Sequence, residues 1–338
     1  MGKAAAARKL ASAAAFGGGG VSVVGAGLWG VLKAEASLAR RTIGTPRDEP
    51  PPDATGWYGR TRPGPAHRVA VIGDSSAAGY GVDRVEDTPG ALLASGLSRE
   101  ADRRVYLRSF ARVGAQTSQI AAQVDAALLI EPDLAVILVG ANDVTHTVPP
   151  SQSVRHLVEQ VRRLRDAGVE VVVGTCPDLG TIKPIAPPLK QVARAWSRRL
   201  AAAQTIAVVE AGGRTVSLGS ILGPEFEAAP AVLFGPDQFH PSADGYRSLV
   251  GVLLPSVLAA LGLIPEAEVH ADGLRGEGVM PVARAAVAAV RQPGTELGGT
   301  EVRGHRLGVR GRWVELRHRR RHPHGEAEGP QPSEDASA

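Results

Sequence analysis

Short, continuous apolar runs alternating with amphipathic stretches constrain this chain more than any other feature. The runs lie at residues 69–72, 105–110, 134–139, 169–174 and 206–209. They are largely continuous rather than alternating, the pattern of strands covered on both faces. Helical spacing fills the intervals at 88–99, 117–129, 151–167 and 189–204, and a last helix is expected at 243–261. Parallel neighbours need a crossover connection, so this order predicts an α/β fold, a parallel sheet with helices on both sides.

That pattern occupies residues 66–264 of 338. Before it, residues 10–32 carry no charge, with Lys3, Arg8 and Lys9 ahead of them and Lys33, Arg40 and Arg41 behind. As a helix, 23 residues span about 34 Å, close to a bilayer core. Three readings fit residues 1–42: a membrane anchor, an export signal, or a buried helix. The length favours the anchor, and charge on both flanks leaves its orientation open. Residues 43–65, with Pro50, Pro51 and Pro52, read as a linker.

Residues 265–338 form an extension. A short apolar helix is expected at 280–290, and residues 303–321 hold eight arginines against Glu315. Two readings of this basic stretch stand side by side, a solvated tail and a contact with anionic lipid head groups. The net charge of +4 collects at the ends rather than on one folded face, which argues against a nucleic-acid partner. Cys176 is the single cysteine. It excludes an internal disulfide, and its apolar setting reads as core. No Cys/His cluster has metal-binding spacing, and no cofactor is implied.

The chemistry begins where the first run ends, at Gly73-Asp74-Ser75-Ser76-Ala77-Ala78-Gly79. Ligands of open α/β sheets sit beyond the carboxyl ends of strands, so Ser75 is well placed to attack one. Phosphate-binding fingerprints are absent, and Ala77 stands where a Gly-x-Ser-x-Gly elbow needs its second glycine. A serine hydroxyl needs a base. Of nine histidines, three have a carboxylate three residues earlier, His146, His240 and His318, and of these His240, with Asp237, stands in a loop just before the final helix, followed by Pro-Ser-Ala-Asp-Gly-Tyr. Such a carboxylate can orient the ring and stabilise its protonated form. Oxyanion donors are then required. The backbone N–H of Ser75, the N–H of Gly114 and the side-chain amide of Asn142 are candidates, each beyond the end of a different expected strand. Asp74 and Asp143 read as braces of their loops, His146 as an ordinary loop residue near the cleft, and Phe234 and Phe239 as core or acyl-pocket residues.

Taken together, Gly-Asp-Ser around Ser75, Gly114, Gly-Ala-Asn-Asp around Asn142, and Asp237-x-x-His240 resemble the four blocks of the SGNH, or GDSL-type, hydrolase family. The second block is the least typical, since the family often has asparagine shortly before the glycine and this chain has Ala111 and Arg112. Ser76 also replaces the leucine that often follows Gly-Asp-Ser. The resemblance implies a three-layer α/β/α sandwich with a five-stranded, flavodoxin-like parallel sheet. It further implies metal-independent hydrolysis of small-molecule or lipid esters. Acyl transfer by the same triad, or a silent triad on a membrane-tethered binding module or scaffold, are the alternatives. Oligomeric state is not legible from these residues.

Overall fold

The computed structural model describes residues 50–264, Glu35, and the backbone of four short paired segments between residues 278 and 307. Six strands form one sheet: β1 (Gly56–Tyr58), β2 (His67–Gly73), β3 (Val105–Ser109), β4 (Leu134–Leu138), β5 (Glu170–Gly174) and β6 (Arg214–Val216), in the order β1-β3-β2-β4-β5-β6. All neighbours pair in parallel except β1, which runs antiparallel to β3. The parallel part is therefore the expected five-stranded sheet, with one added edge strand. That strand comes from the segment read as linker. Ala54 beside it is buried and accepts the Tyr58 hydroxyl at 2.7 Å.

Counting only parallel strands, the order is 2-1-3-4-5, the flavodoxin-like arrangement. Connections leave β2 in opposite directions on its two sides, so a crevice opens between the carboxyl ends of β2 and β4.

The central strands are apolar throughout because helices cover both faces. In β4, Leu134, Val136 and Leu138 point into one core cluster, while Ala135 and Ile137, with Val139 beyond, point into the other. The helices are α1 (Ser75–Ala78), α2 (Pro89–Ala101), α3 (Ile120–Leu128), α4 (Ala141–Thr145), α5 (Pro150–Asp166), α6 (Leu189–Glu210), α7 (Leu218–Ala228), α8 (Pro230–Leu233) and α9 (Ala243–Ala260). Helices α3 and α5 cover one face through Ile120, Val124, Leu157, Val161 and Leu164. On the other face, α2, α7 and α9 contribute Leu93, Leu97, Ile221, Phe226, Leu253 and Val257. Helix α5 is amphipathic, its buried positions Ser153, Leu157, Gln160, Val161 and Leu164 forming one helical stripe.

The expected strand at 206–209 is a correction. Those residues are the last turns of α6, and Val208 is buried by helical spacing. The true edge strand is the half-polar Arg214–Val216, set off by Gly212 at φ +81°. A three-residue edge strand buries too little to leave an apolar run in sequence.

Glu35 accepts the Leu189 N–H at 2.8 Å, so chain ahead of the expected domain reaches the start of α6. Among the described residues no helix is long and apolar enough to cross a membrane. Residues 10–32 and the expected helix at 280–290 lie outside the described residues. So does most of the arginine-rich stretch, apart from the backbone of His305–Leu307, which pairs with Thr300–Val302.

Candidate active site

Strand β2 ends on Gly73 with φ +144°, where a Cβ would stand 1.9 Å from the Leu138 carbonyl oxygen of β4. Only glycine permits that approach. The next amide, Asp74 N–H, donates to the same oxygen at 3.0 Å. Gln123 of α3, fully buried, clamps Gly73 from the other side, accepting its N–H at 2.7 Å and donating to its carbonyl at 3.0 Å. The backbone is thus fixed immediately before Ser75.

Ser75 is the first residue of α1, with Asp74 as its N-cap. The Asp74 carboxylate accepts the Ser76 N–H at 2.9 Å. The Ser75 N–H is a first-turn donor with no carbonyl one turn back to receive it. Asp74 is 2% exposed. Burial raises its pKa, donation from Ser76 opposes this, nearby Asp143 adds to it, and the result is about 7.

His240 reaches Ser75 across the crevice, with Nε2 at 2.9 Å from Ser75 Oγ. Its Nδ1 lies 2.6 Å from Asp237 Oδ2. A carboxylate accepts, so the Nδ1 proton points to Asp237 and Nε2 is left to receive the serine proton. Asp237 Oδ1 accepts the backbone N–H groups of Phe239 and His240, both at 3.0 Å. Burial would raise the Asp237 carboxyl, but donation from the His240 ring and from those amides outweighs it, and the pKa lies below its ordinary value.

The loop that holds this pair is closed on itself. Phe234 and Pro241 form an isolated bridge, the Gly235 N–H donates to the His240 carbonyl at 2.8 Å, and Ser242 caps α9 through the Gly245 N–H. The Tyr80 ring packs on the imidazole with centroids 4.4 Å apart, and its carbonyl accepts the buried Tyr246 hydroxyl at 2.7 Å.

Asn142, in α4 beyond β4, donates its amide to the Ala115 carbonyl at 3.1 Å. A carbonyl partner fixes which end of the amide is nitrogen, and a second N–H remains on it. That contact also holds the Gly114 loop. Gly114 is exposed at φ +80° with nothing within 4 Å of a would-be Cβ, so the backbone angle rather than crowding favours glycine here. Buried Asp143 ties these pieces together, accepting from Thr117 N–H at 3.1 Å, Thr117 Oγ1 at 2.9 Å and Ser153 Oγ at 2.7 Å.

The structure therefore brings Ser75, His240 and Asp237 into one hydrogen-bonded line at the β2/β4 crevice, and ties Asn142 to Ala115, the residue after Gly114. Both aspartates read as braces do brace their loops. Exposed His146 bonds instead to the Asn142 carbonyl at 2.8 Å. Sequence reasoning did not single out Gln123, Gln204, Thr117 or Tyr80. Gln204 of α6, fully buried, bridges the Val139 carbonyl and the Cys176 N–H. A glutamine on the buried stripe of a helix beside the sheet was the available signal. Cys176 is buried, and burial pushes its thiol up, with Asp74, Asp143 and Asp178 adding to the effect. No group of three metal-ligating side chains is gathered among the described residues.

Known proteins resemble this chain in sequence and in fold. The pattern of the GDSL-like lipase/acylhydrolase family matches residues 71–248, more than half of the chain. The chain belongs to that family. This GDSL-family hydrolase is 41% identical over 264 residues to the GDSL-like esterase Rv1075c of Mycobacterium tuberculosis, covering 75% of the present chain and 83% of the relative. Solved structures of similar shape include a lipase/acylhydrolase from Enterococcus faecalis, at 18% identity and TM-score 0.46, covering 59% of this chain and 97% of that one. A mutant of Axe2, an acetyl-xylooligosaccharide esterase of Geobacillus, aligns at 16% identity and TM-score 0.47, covering 58% and 94%.

Proposed function

We propose that this GDSL-family protein is a carboxylic ester hydrolase that works through an acyl-enzyme on Ser75. The observation that carries the reading is the continuous contact from Ser75 Oγ through His240 to Asp237. His240 Nε2 takes the serine proton as Oγ attacks the ester carbonyl. Asp237 stays ionised and balances the imidazolium. The oxyanion is met by the N–H groups of Ser75 and Gly114 and by the free amide hydrogen of Asn142. His240 returns the proton to the departing alcohol, and water enters on the same base to release the acid.

Family membership and the 41% identical esterase support ester hydrolysis as the reaction class. Replacing Ser75 with alanine should abolish both turnover of p-nitrophenyl esters and labelling by a fluorophosphonate. Labelling that persists in Ser75→Ala would assign the nucleophile elsewhere.

We further propose that residues 10–32 anchor the enzyme at a membrane, where lipid or acylated envelope esters are within its reach. The support is the uncharged length of that stretch and its basic flanks. Deletion of these residues should move the protein from membrane to soluble fractions, and an unchanged distribution would remove the anchor.

A further inference from the structure

The loop of residues 235–241 separates two unlike spaces. On one side is an open groove of about 720 Å³ whose lining includes Asp83, Arg84, Asp87, Lys183 and Gln238. On the other is a smaller cavity of about 90 Å³, walled largely by aliphatic and aromatic side chains. The lining of this cavity includes immediate chain neighbours of the site residues. Asp74 and Ser76 bracket Ser75, Ala141 precedes Asn142, and Phe239 and Pro241 bracket His240.

Its far wall is α7, where Leu218, Leu222 and Phe226 recur at four-residue spacing with Gly223 beside them. A Cβ on Gly223 would stand 3.6 Å from Asp178 Cβ and 3.9 Å from Thr181 Cγ2, ordinary contact distances. A first side-chain carbon therefore meets only ordinary contacts with Asp178 and Thr181. The glycine leaves space that a larger residue would fill.

We propose that this cavity receives the acyl group of the ester, and that Gly223 and Leu222 set the chain length it accepts. The inference rests on Ser75 being the nucleophile. In a two-step reaction the acyl group stays bonded to Ser75 while the alcohol departs. The smaller, more apolar space suits the part that stays, and the wider groove with charged side chains on its wall suits the part that leaves. A volume of about 90 Å³ holds roughly six water-sized groups. A straight chain of about four to six carbons therefore fills it.

The test is a series of p-nitrophenyl esters, acetate to decanoate, on the full-length protein. kcat/KM should rise about fourfold per added methylene up to about six carbons, then fall. Gly223→Leu should lower the hexanoate-to-acetate ratio of kcat/KM at least tenfold. Leu222→Ala should move the optimum to longer chains. Variant profiles that superimpose on that of the parent protein overturn the proposal, even with Ser75→Ala inactive at every length. Activity retained by Ser75→Ala removes the nucleophile and the proposal with it. Thermal melts report whether Gly223→Leu folds, and if it does not, Leu222→Ala decides alone.

Discussion

Asp237→Asn isolates the contribution of a single proton position. In the native site Asp237 Oδ1 accepts two backbone N–H groups at 3.0 Å, and Oδ2 faces His240 Nδ1 at 2.6 Å. An asparagine must keep its oxygen toward the two amides, because its NH₂ would oppose two other donors. The NH₂ then occupies the Oδ2 position and donates to Nδ1. That forces the ring proton onto Nε2, which lies 2.9 Å from Ser75 Oγ. Nε2 then donates to the serine instead of accepting from it, and the base is in the wrong tautomer. Where this tautomer error has been isolated, it lowers kcat by ~10⁴, equivalent to about 5.4 kcal/mol of transition-state stabilisation. Asp237 does not line the substrate face, so KM should change by less than about threefold, the pattern of an interaction made only in the transition state. Initial rates on a p-nitrophenyl ester, with thermal melting as a check of folding, read both quantities. A folded Asp237→Asn variant with kcat within tenfold of the parent protein would refute the orienting role argued for Asp237.

Two further outcomes follow from the same geometry. Asn142→Ala should lower kcat by ~10²-fold or more through loss of an oxyanion donor, and raise KM as the Gly114 loop loses its tie to Ala115; turnover within threefold of the parent protein would remove Asn142 from that role. Asp74 has its pKa raised in the fold from 3.8 to about 7, so between those values the folded chain binds more protons than the unfolded chain, and stability falls as pH rises through this window. The full effect is on the order of 4 kcal/mol at ~1.4 kcal/mol per unit. Asp74→Asn keeps an oxygen for the Ser76 N–H but cannot ionise, so its melting temperature should drop less than that of the parent protein from pH 5 to pH 8. Parallel stability curves would show that Asp74 does not titrate there.

The central strands were legible in sequence because burial on both faces leaves unbroken apolar runs, as in Leu134–Leu138. Edge strands carry no such mark. Gly56–Tyr58 sits beside prolines and glycines and reads as linker, while Arg214–Val216 is short and half polar. The apolar end of α6 took its place in the reading because Ile206, Val208 and Val209 satisfy either period over four residues. Helix α7 escaped notice because Pro224 interrupts it.

Ser75, Gly114 and Asn142 were readable because each follows a strand end, and topology carries strand ends to one edge; Asp237 and His240 were readable from their three-residue spacing just before the last helix. Gln123 and Gln204 were not, since a buried amide pairs with backbone groups far away in sequence. Gly73 lies 50 positions from Gln123, and Val139 lies 65 from Gln204. Only the packed arrangement shows what those amides satisfy.

His240 and Asp237 lie three positions apart, inside a loop whose own backbone bonds close it. Ser75 is 165 positions away in sequence. The site therefore has two halves of different origin, one local and one assembled by long-range folding. An opening of a few ångströms along that seam leaves an oriented imidazole intact and strips it of its serine. Loss of esterase activity on heating or in denaturant should then precede loss of helix content, with catalysis acting as the gauge of whether the two ends of the domain are closed.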